Sequence, residues 1–287
     1  MQPIILVTGS NGQLGKELKH FADAYKQFKF VFASREDLKL HHYGLVENFF
    51  SGIKPQFCIN CAAYTAVDKA ESEQDMAMLV NGEAVGHLAG VCKKYKTKLI
   101  HISTDYVFNG ESETPYNEDD SVEPINTYGR SKLLGEQLCM IENNDAIIIR
   151  TSWLYSEFGN NFVKTMLRLM RERNEINVVS DQFGSPTYAA DLAKAILAII
   201  ASGTWQSGIY HYSNEGKISW YEFALAVKAI IGSACKVNPI PTSAYPAPAK
   251  RPHYSLLDKS KIKSTYNIEI PDWKSSLSIC IQKLNNS

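Results

Sequence analysis

A chain of 287 residues can hold one large domain or two ordinary ones with a substantial core, and 45% hydrophobic with 21% charged residues is the composition of a soluble globular protein. Lys+Arg and Asp+Glu are equal at 30 each, so no net field draws the chain to nucleic acid or to a membrane surface, and a small ligand steered by local groups is the expected partner. The amino terminus carries no basic n-region or small-residue cleavage site, and the longest apolar run, 192–201, is too short for a membrane span and holds Lys194, so a cytoplasmic location is expected.

Ile4 to Thr8 reads as a strand ending in the glycine turn Gly9-Ser10-Asn11-Gly12-Gln13-Leu14-Gly15. Leu14, Leu18, Phe21, Ala22 and Tyr25 then recur at helical spacing. Strand, glycine turn and helix form a phosphate-binding unit: glycines allow positive φ and close backbone approach, and the helix N-terminus offers free N–H groups. The spacing is G-x-x-G-x-x-G. Lys29 to Ala33 is the second strand, followed by Ser34 and Arg35 where an NAD-specific fold places an acid, about 20 residues beyond the glycines. A hydroxyl beside an arginine suits a 2′-phosphate, so NADPH is the favoured coenzyme, with NADH the alternative because Glu36 and Asp37 are close.

Leu45 to Gly52 reads as a helix and Phe57 to Ala63 as the third strand, continued by small residues at which a backbone can approach a ligand. Cys58-x-x-Cys61 has redox or zinc spacing but no second pair follows, so both cysteines are read as structural, and the six cysteines show no disulfide framework. A helix over about 81–94 leads to a fourth strand, Lys98 to Ser103, in which His101 is read as a satisfied core residue. That strand delivers Ser103, Thr104 and Asp105 to its carboxyl end, where open α/β sheets bind ligands.

Tyr128 and Lys132 lie four apart on the next helix and share a face. An ammonium beside a phenol lowers the phenol from its reference value of about 10, and a strand-end hydroxyl would hold a carbonyl oxygen there. Alone, such a pair arises often by chance. Ala146 to Thr151 is a fifth, continuously apolar strand, and strands alternating with helices imply an α/β doubly wound parallel sheet. The expected division is a dinucleotide-binding domain, 1–152, and a smaller, mainly substrate-binding domain, 153–287, some of whose segments return to the first. Helices are expected over about 160–173, 188–202, 219–231 and 273–284, with a proline-crowded loop around Lys250 and Arg251.

With the glycine turn, Ser103-Thr104-Asp105-Tyr106-Val107-Phe108 and Tyr128-x-x-x-Lys132 in this order, the chain resembles the extended short-chain dehydrogenase/reductase family, Rossmann-type in fold. The resemblance runs nearly end to end, and its more specific carriers are Ala66–Glu71, Arg150–Tyr155, Asn160–Phe162, Asp181–Thr187 and Pro241–Pro248 with Arg251-Pro252. It implies NAD(P)H-dependent reduction of the C4 ketone of dTDP-6-deoxy-L-lyxo-4-hexulose to dTDP-L-rhamnose. Tyr128 would be the proton donor, Lys132 would bond the nicotinamide ribose, and Thr104 would orient the carbonyl. Asp105 and Trp153 would meet the sugar, although Trp153 also reads as a domain-interface anchor. Gly9, Gly12, Gln13, Leu14 and Gly15 would hold the pyrophosphate, and Ala63, Tyr64 and Thr65 the coenzyme further along. Lys39 and Leu40 stand where many relatives carry an aspartate and an aliphatic residue near the adenine. No catalytic metal is expected, since Glu17 alone is thin support for the divalent ion at which some relatives dimerise; a homodimer stays open. The rival readings are a reductase or epimerase on another nucleotide sugar, and a non-catalytic subunit on the same scaffold.

Overall fold

The computed structural model describes residues 2–286. The nucleotide half runs β1 (Ile4–Thr8), α1 (Gln13–Phe21), β2 (Lys29–Ala33), α2 (Tyr43–Ile53), β3 (Phe57–Asn60), the short helices α3 (Val67–Ala70) and α4 (Gln74–Met78), a π-helical turn (Leu79–Glu83), α5 (Ala84–Lys94), β4 (Lys98–Thr104), α6 (Thr127–Glu142) and β5 (Ile147–Thr151). There follow β6 (Leu154–Tyr155), α7 (Phe162–Glu172), β7 (Glu175–Val179), β8 (Phe183–Gly184), β9 (Thr187–Tyr188), α8 (Ala189–Ala201) and β10 (Gly208–Tyr212). The chain ends with β11 (Ile218–Ser219), α9 (Trp220–Ile231), β12 (Lys236–Ile240), α10 (Ser260–Tyr266) and α11 (Trp273–Asn285).

The central sheet has the order β2-β1-β3-β4-β5-β10, every pair parallel. Its strands alternate between two apolar layers. Ile5, Val7, Ile59, Ile100, Ile147 and Ile149 pack with Leu14 and Leu18 of α1 and Leu192 and Ile196 of α8. Leu6, Cys58, Leu99 and Ile148 point the other way, onto Val46 and Phe50 of α2, Val85 and Leu88 of α5 and Cys139 of α6. With both faces covered, strands such as Ile147–Thr151 are buried at every position, which is why their sequence is apolar without alternation.

A second core gathers Val163, Met166 and Met170 of α7, Phe223 and Val227 of α9, and Leu277 and Ile281 of α11 around the parallel pair β7–β12. Local signals set its helix ends. Asn161 caps α7 through the Lys164 N–H, Ser219 and Glu222 form a reciprocal capping box on α9, and Gly232 ends α9 at φ +64°. The structure shortens β3, which stops at Asn60, because residues 61–66 turn away toward the π-helical turn. β7 and β12 carry no expectation from the sequence: Pro239 within β12 speaks against a central strand and fits the two-stranded sheet it joins.

Candidate active site

The ends of β1, β3 and β4 and the start of α6 bring most of the expected residues together. At β1, Gly9 adopts φ +64° and its carbonyl accepts the Gly12 N–H at 3.0 Å. A Cβ on Gly9 would stand 2.6 Å from the Ala62 nitrogen, and one on Gly15 would stand 2.6 Å from the Gly9 oxygen, so both positions are closed to larger residues. Gly12 begins α1 with no side-chain cap, which leaves first-turn N–H groups available to an anion. Gln13 reaches across to Leu154 O at 3.4 Å and to Asn161 Nδ2 at 2.9 Å, tying this turn to the second half of the chain. Leu14 is buried in the core beneath, so it contributes backbone rather than side chain here.

At the end of β2, the Asp37 carboxylate accepts the Ser34 N–H at 2.9 Å, and the Asp37 N–H lies 3.4 Å from Ser34 Oγ. Hydrogen bonds to Ser34 hold the carboxyls of Glu36 and Asp37 below their usual range. Both acids are therefore spent on the turn, whereas Arg35 is exposed. Lys39 is exposed as well, but Leu40 is packed into the α2–α5 core, so its side chain is not displayed to a ligand at the sheet edge.

Beyond β3, Ala63, Tyr64 and Thr65 are held by a residue the sequence reading passed over. Asn81, fully buried in the π-helical turn, accepts the Tyr64 N–H at 2.8 Å and donates to Tyr64 O and to Ser131 Oγ, each at 3.0 Å. Gly135 permits this fit, since a Cβ there would collide with the Asn81 carbonyl. The only sequence signal was the pair of small residues, Ser131 and Gly135, on one face of α6.

β4 and α6 supply the reacting groups. Asn126 caps α6 by accepting the Gly129 N–H at 2.7 Å, and Gly129 lets the helix start close against the Tyr106 carbonyl. That docking places the Tyr128 phenol beside the Thr104 hydroxyl. Thr104 Oγ1 donates to Asp105 Oδ1 at 3.1 Å and accepts the Tyr106 N–H at 3.2 Å. Burial pushes the Tyr128 phenol up to about 12, with the neighbouring Thr104 hydroxyl acting in the opposite direction. The expected lowering of this phenol by Lys132 is not found, because Lys132 Nζ is turned inward, donating to Ile102 O at 2.6 Å and lying 3.4 Å from His101 Nε2. Burial lowers Lys132 to about 8 and raises Asp105 to about 7. One Asp105 oxygen, Oδ2, is buried without a hydrogen-bond partner among the described residues. Beneath them Glu136, on the α6 face of Lys132, takes Arg150 bidentately and accepts from Ser103 Oγ at 2.5 Å.

Trp153 has φ +46° and stacks on Trp220 at 3.6 Å, with Gly184 against its ring edge. It is thus fixed at the seam of the second core, half-buried, and both roles weighed for it are compatible with that position. The proline-rich loop reaches the site through Arg251, whose Nη2 lies 2.8 Å from Asp68 Oδ2, and through Lys250 O, which accepts from Asn126 Nδ2 at 2.8 Å. All six cysteines are free, and Cys58 and Cys61 form no bridge. Among the described residues no cluster of three or more His, Cys, Asp or Glu could hold a metal ion. Glu17 is buried beside Glu157, and its Oε1 has no hydrogen-bond partner among the described residues. No helix among the described residues is long and apolar enough to cross a membrane.

The sequence model described as "RmlD substrate binding domain" matches residues 1–286. A dTDP-4-dehydrorhamnose reductase of Burkholderia thailandensis is 41% identical over 98% of this chain and 98% of its own. The solved dTDP-4-dehydrorhamnose reductase of Clostridium acetobutylicum superposes with a TM-score of 0.94 at 40% identity, covering 98% of this chain and 99% of that one. The corresponding enzyme of Bacillus anthracis, solved in complex with NADP, gives a TM-score of 0.95 at 39% identity over 99% of this chain and 100% of that one. A glycine turn, a Thr104–Tyr128 pair and a near-complete match to these proteins together place the chain in the dTDP-4-dehydrorhamnose reductase family, within the extended short-chain dehydrogenases/reductases.

Proposed function

We propose that the protein reduces the C4 ketone of dTDP-6-deoxy-L-lyxo-4-hexulose to dTDP-L-rhamnose with NADPH. The observation that carries this reading is the placing of the Tyr128 phenol at the start of α6 beside Thr104 at the carboxyl end of β4, next to the glycine turn.

The residues present fit NADPH. The Gly9–Gly15 turn closes against Ala62 and leaves the start of α1 uncapped for a diphosphate. Asp37 and Glu36 are engaged by Ser34, which leaves the exposed Arg35 beside that turn to receive a 2′-phosphate, while Lys39 offers a second cation nearby. NADH is the weaker fit, since neither acid is free for a 2′-hydroxyl. Ala63, Tyr64 and Thr65, fixed by Asn81, would border the coenzyme further along.

Bound there, NADPH would supply the hydride for C4. Tyr128 delivers its proton to the C4 oxygen as charge develops there, and its high pKa keeps it protonated until that moment. Thr104 fixes the direction of the Tyr128 hydroxyl and of the carbonyl between them. Lys132, on the same face of α6 but turned onto the Ile102 carbonyl here, would swing from that carbonyl to bind the ribose and set its charge beside the Tyr128 oxygen once the proton has gone. Donors placed for the alkoxide act mainly in the transition state, which is where they raise the rate. Asp105 meets a sugar hydroxyl with its unpartnered oxygen, and Trp153 lays its ring against the sugar. Residues 1–152 form the dinucleotide-binding part in this reading and 153–287 most of the substrate part, in a cytoplasmic protein that works without a catalytic metal. Whether it works as a monomer or a homodimer is a matter for its mass in solution.

The test is to follow NADPH against NADH oxidation with the 3,5-epimerised dTDP-4-keto sugar and to identify the product by NMR. Stoichiometric NADPH loss with formation of dTDP-L-rhamnose is expected. Isomerisation without net coenzyme consumption would make the protein an epimerase, and no sugar-dependent oxidation would make it a non-catalytic relative.

A further inference from the structure

Thr8, Asn60 and His101 occupy matching register positions on three neighbouring strands, β1, β3 and β4. All three are essentially inaccessible to solvent, as is Lys132. Thr8 Oγ1 donates to Asn60 Oδ1 at 2.7 Å, Asn60 Nδ2 meets His101 Nδ1 at 3.0 Å, and His101 Nε2 faces Lys132 Nζ at 3.4 Å. A buried polar ladder thus runs from the start of the glycine turn across the sheet to the lysine of the reaction.

The direction of each bond follows from one backbone group. The Ala62 N–H can only donate, and it lies 3.3 Å from Asn60 Oδ1, so that atom is the amide oxygen. The Asn60 NH₂ therefore faces His101, and its partner Nδ1 must accept. Burial holds the imidazole well below the usual histidine range, so the ring is neutral and, with Nδ1 accepting, its single proton sits on Nε2. That N–H points at Lys132 Nζ. An ammonium has no lone pair to receive it, and a neutral amine has one.

Resting on the reductase reading, we propose that His101 is a positioning residue for the reaction: locked as the Nε2–H tautomer by Asn60 and Thr8, it holds the Lys132 amine against the Ile102 carbonyl and opposes its charged form. The other groups facing Lys132 are Glu136 and Cys139 on α6 and Cys61 beyond β3. Glu136 favours the charge but is engaged by Arg150, and both thiols are raised by burial. A proton taken from solvent then charges the amine as the ribose hydroxyl appears opposite it, so that an ammonium faces the Tyr128 oxygen when the Tyr128 proton has passed to the C4 oxygen. A charge that strengthens as the alkoxide forms is more useful than one equally stabilised throughout.

Two measurements on the unmodified protein without added coenzyme decide the tautomer and the charge. A two-bond proton–nitrogen spectrum of labelled histidine should show one ring in the Nε2–H form that does not titrate between about pH 5 and about pH 9; an Nδ1–H or charged His101 overturns the proposal. The Cε resonance assigned to Lys132 by its loss in Lys132→Arg should titrate near 8, and a midpoint above about 10, the ordinary lysine value, overturns it. For the role in turnover, His101→Leu should lose at least about tenfold in kcat with the sugar KM within about threefold, and His101→Gln, which returns an N–H to the Nε2 position, should recover most of it. An His101→Leu enzyme within about twofold of wild type, or a glutamine variant no better than leucine, sinks the positioning role. Should His101→Leu fail to fold, the spectra still decide. Should the protein reduce no dTDP-keto sugar, the functional reading falls while the two spectra stand independently.

Discussion

Arg251 and Asp68 lie 183 residues apart in sequence, yet Arg251 Nη2 sits 2.8 Å from Asp68 Oδ2 and the Ala249 N–H lies 3.3 Å from Asp68 Oδ1. The pair clamps the proline-rich loop over α3, beside the entrance to α6, where Lys250 O also receives Asn126 Nδ2. Arg251 is partly buried and Asp68 is half-exposed, so the pair contributes modestly to global stability and mainly to where the loop rests. Arg251→Ala should raise the sugar-nucleotide KM by about tenfold while kcat at saturation and the Tm change little. Steady-state kinetics beside a thermal melt separate this from general unfolding: a large fall in Tm with an unchanged KM would show that the clamp serves stability only.

Tyr128→Phe removes the proposed proton donor and leaves the ring in place against Tyr106, whose centroid is 5.8 Å away. A positioned general acid contributes about 10²–10⁴-fold, so kcat should fall by at least about 10². NADPH binding, followed by coenzyme fluorescence, should stay within about threefold, because the phenol is not among the residues assigned to the coenzyme. Turnover close to wild type would remove Tyr128 from the acid role.

What the sequence disclosed and what it hid divide along sequence distance. Tyr128 and Lys132, four apart, and the Gly9–Gly15 turn are local patterns, and the strand runs Ile4–Thr8 and Ile147–Thr151 are apolar because both sheet faces are covered. The Asn81 clamp, the Glu136–Arg150 pair and the Asp68–Arg251 clamp join residues that only the folded chain brings together. His101 was legible as a satisfied core histidine, but its partners were not, since strand register decides that Asn60 lies beside it. Lys132 shows the limit of spacing arguments: four residues put it on the Tyr128 face, and a carbonyl on β4 then turns its amine inward.

Arg35 supplies a test of coenzyme choice. With Asp37 and Glu36 tied to Ser34, Arg35 is the cation beside the strand end, and a charge-assisted hydrogen bond to a phosphate contributes roughly 1.5–3 kcal/mol. Arg35→Ala should therefore raise the NADPH KM by about tenfold or more and leave the NADH value within about threefold. Equal losses for the two coenzymes would mean that Arg35 acts on the fold of the turn and not on the 2′-phosphate.

Glu17 connects stability to pH. It sits on α1 with its carboxyl raised to about 8, chiefly by burial and next by the neighbouring Glu157 carboxyl. Glu157 moves the other way, held low by Tyr188, Glu17 and Lys283, so the pair shares one proton between α1 and the second core. A carboxyl raised on folding binds its proton more tightly in the native state. As pH climbs from 4.5, its value when exposed, the unfolded chain loses the proton first, and stability falls until the native group ionises near 8. Glu157 is ionised in both states across this window and does not offset the loss, so the wild-type Tm should fall by several degrees. Glu17→Gln keeps a hydrogen-bonding amide in place and cannot ionise. The gap in Tm between about pH 6 and about pH 8.5 should therefore be smaller in the variant than in wild type, with the variant gaining at the alkaline end. Parallel pH–Tm curves for the two proteins would show that the proton is not shared as this geometry requires.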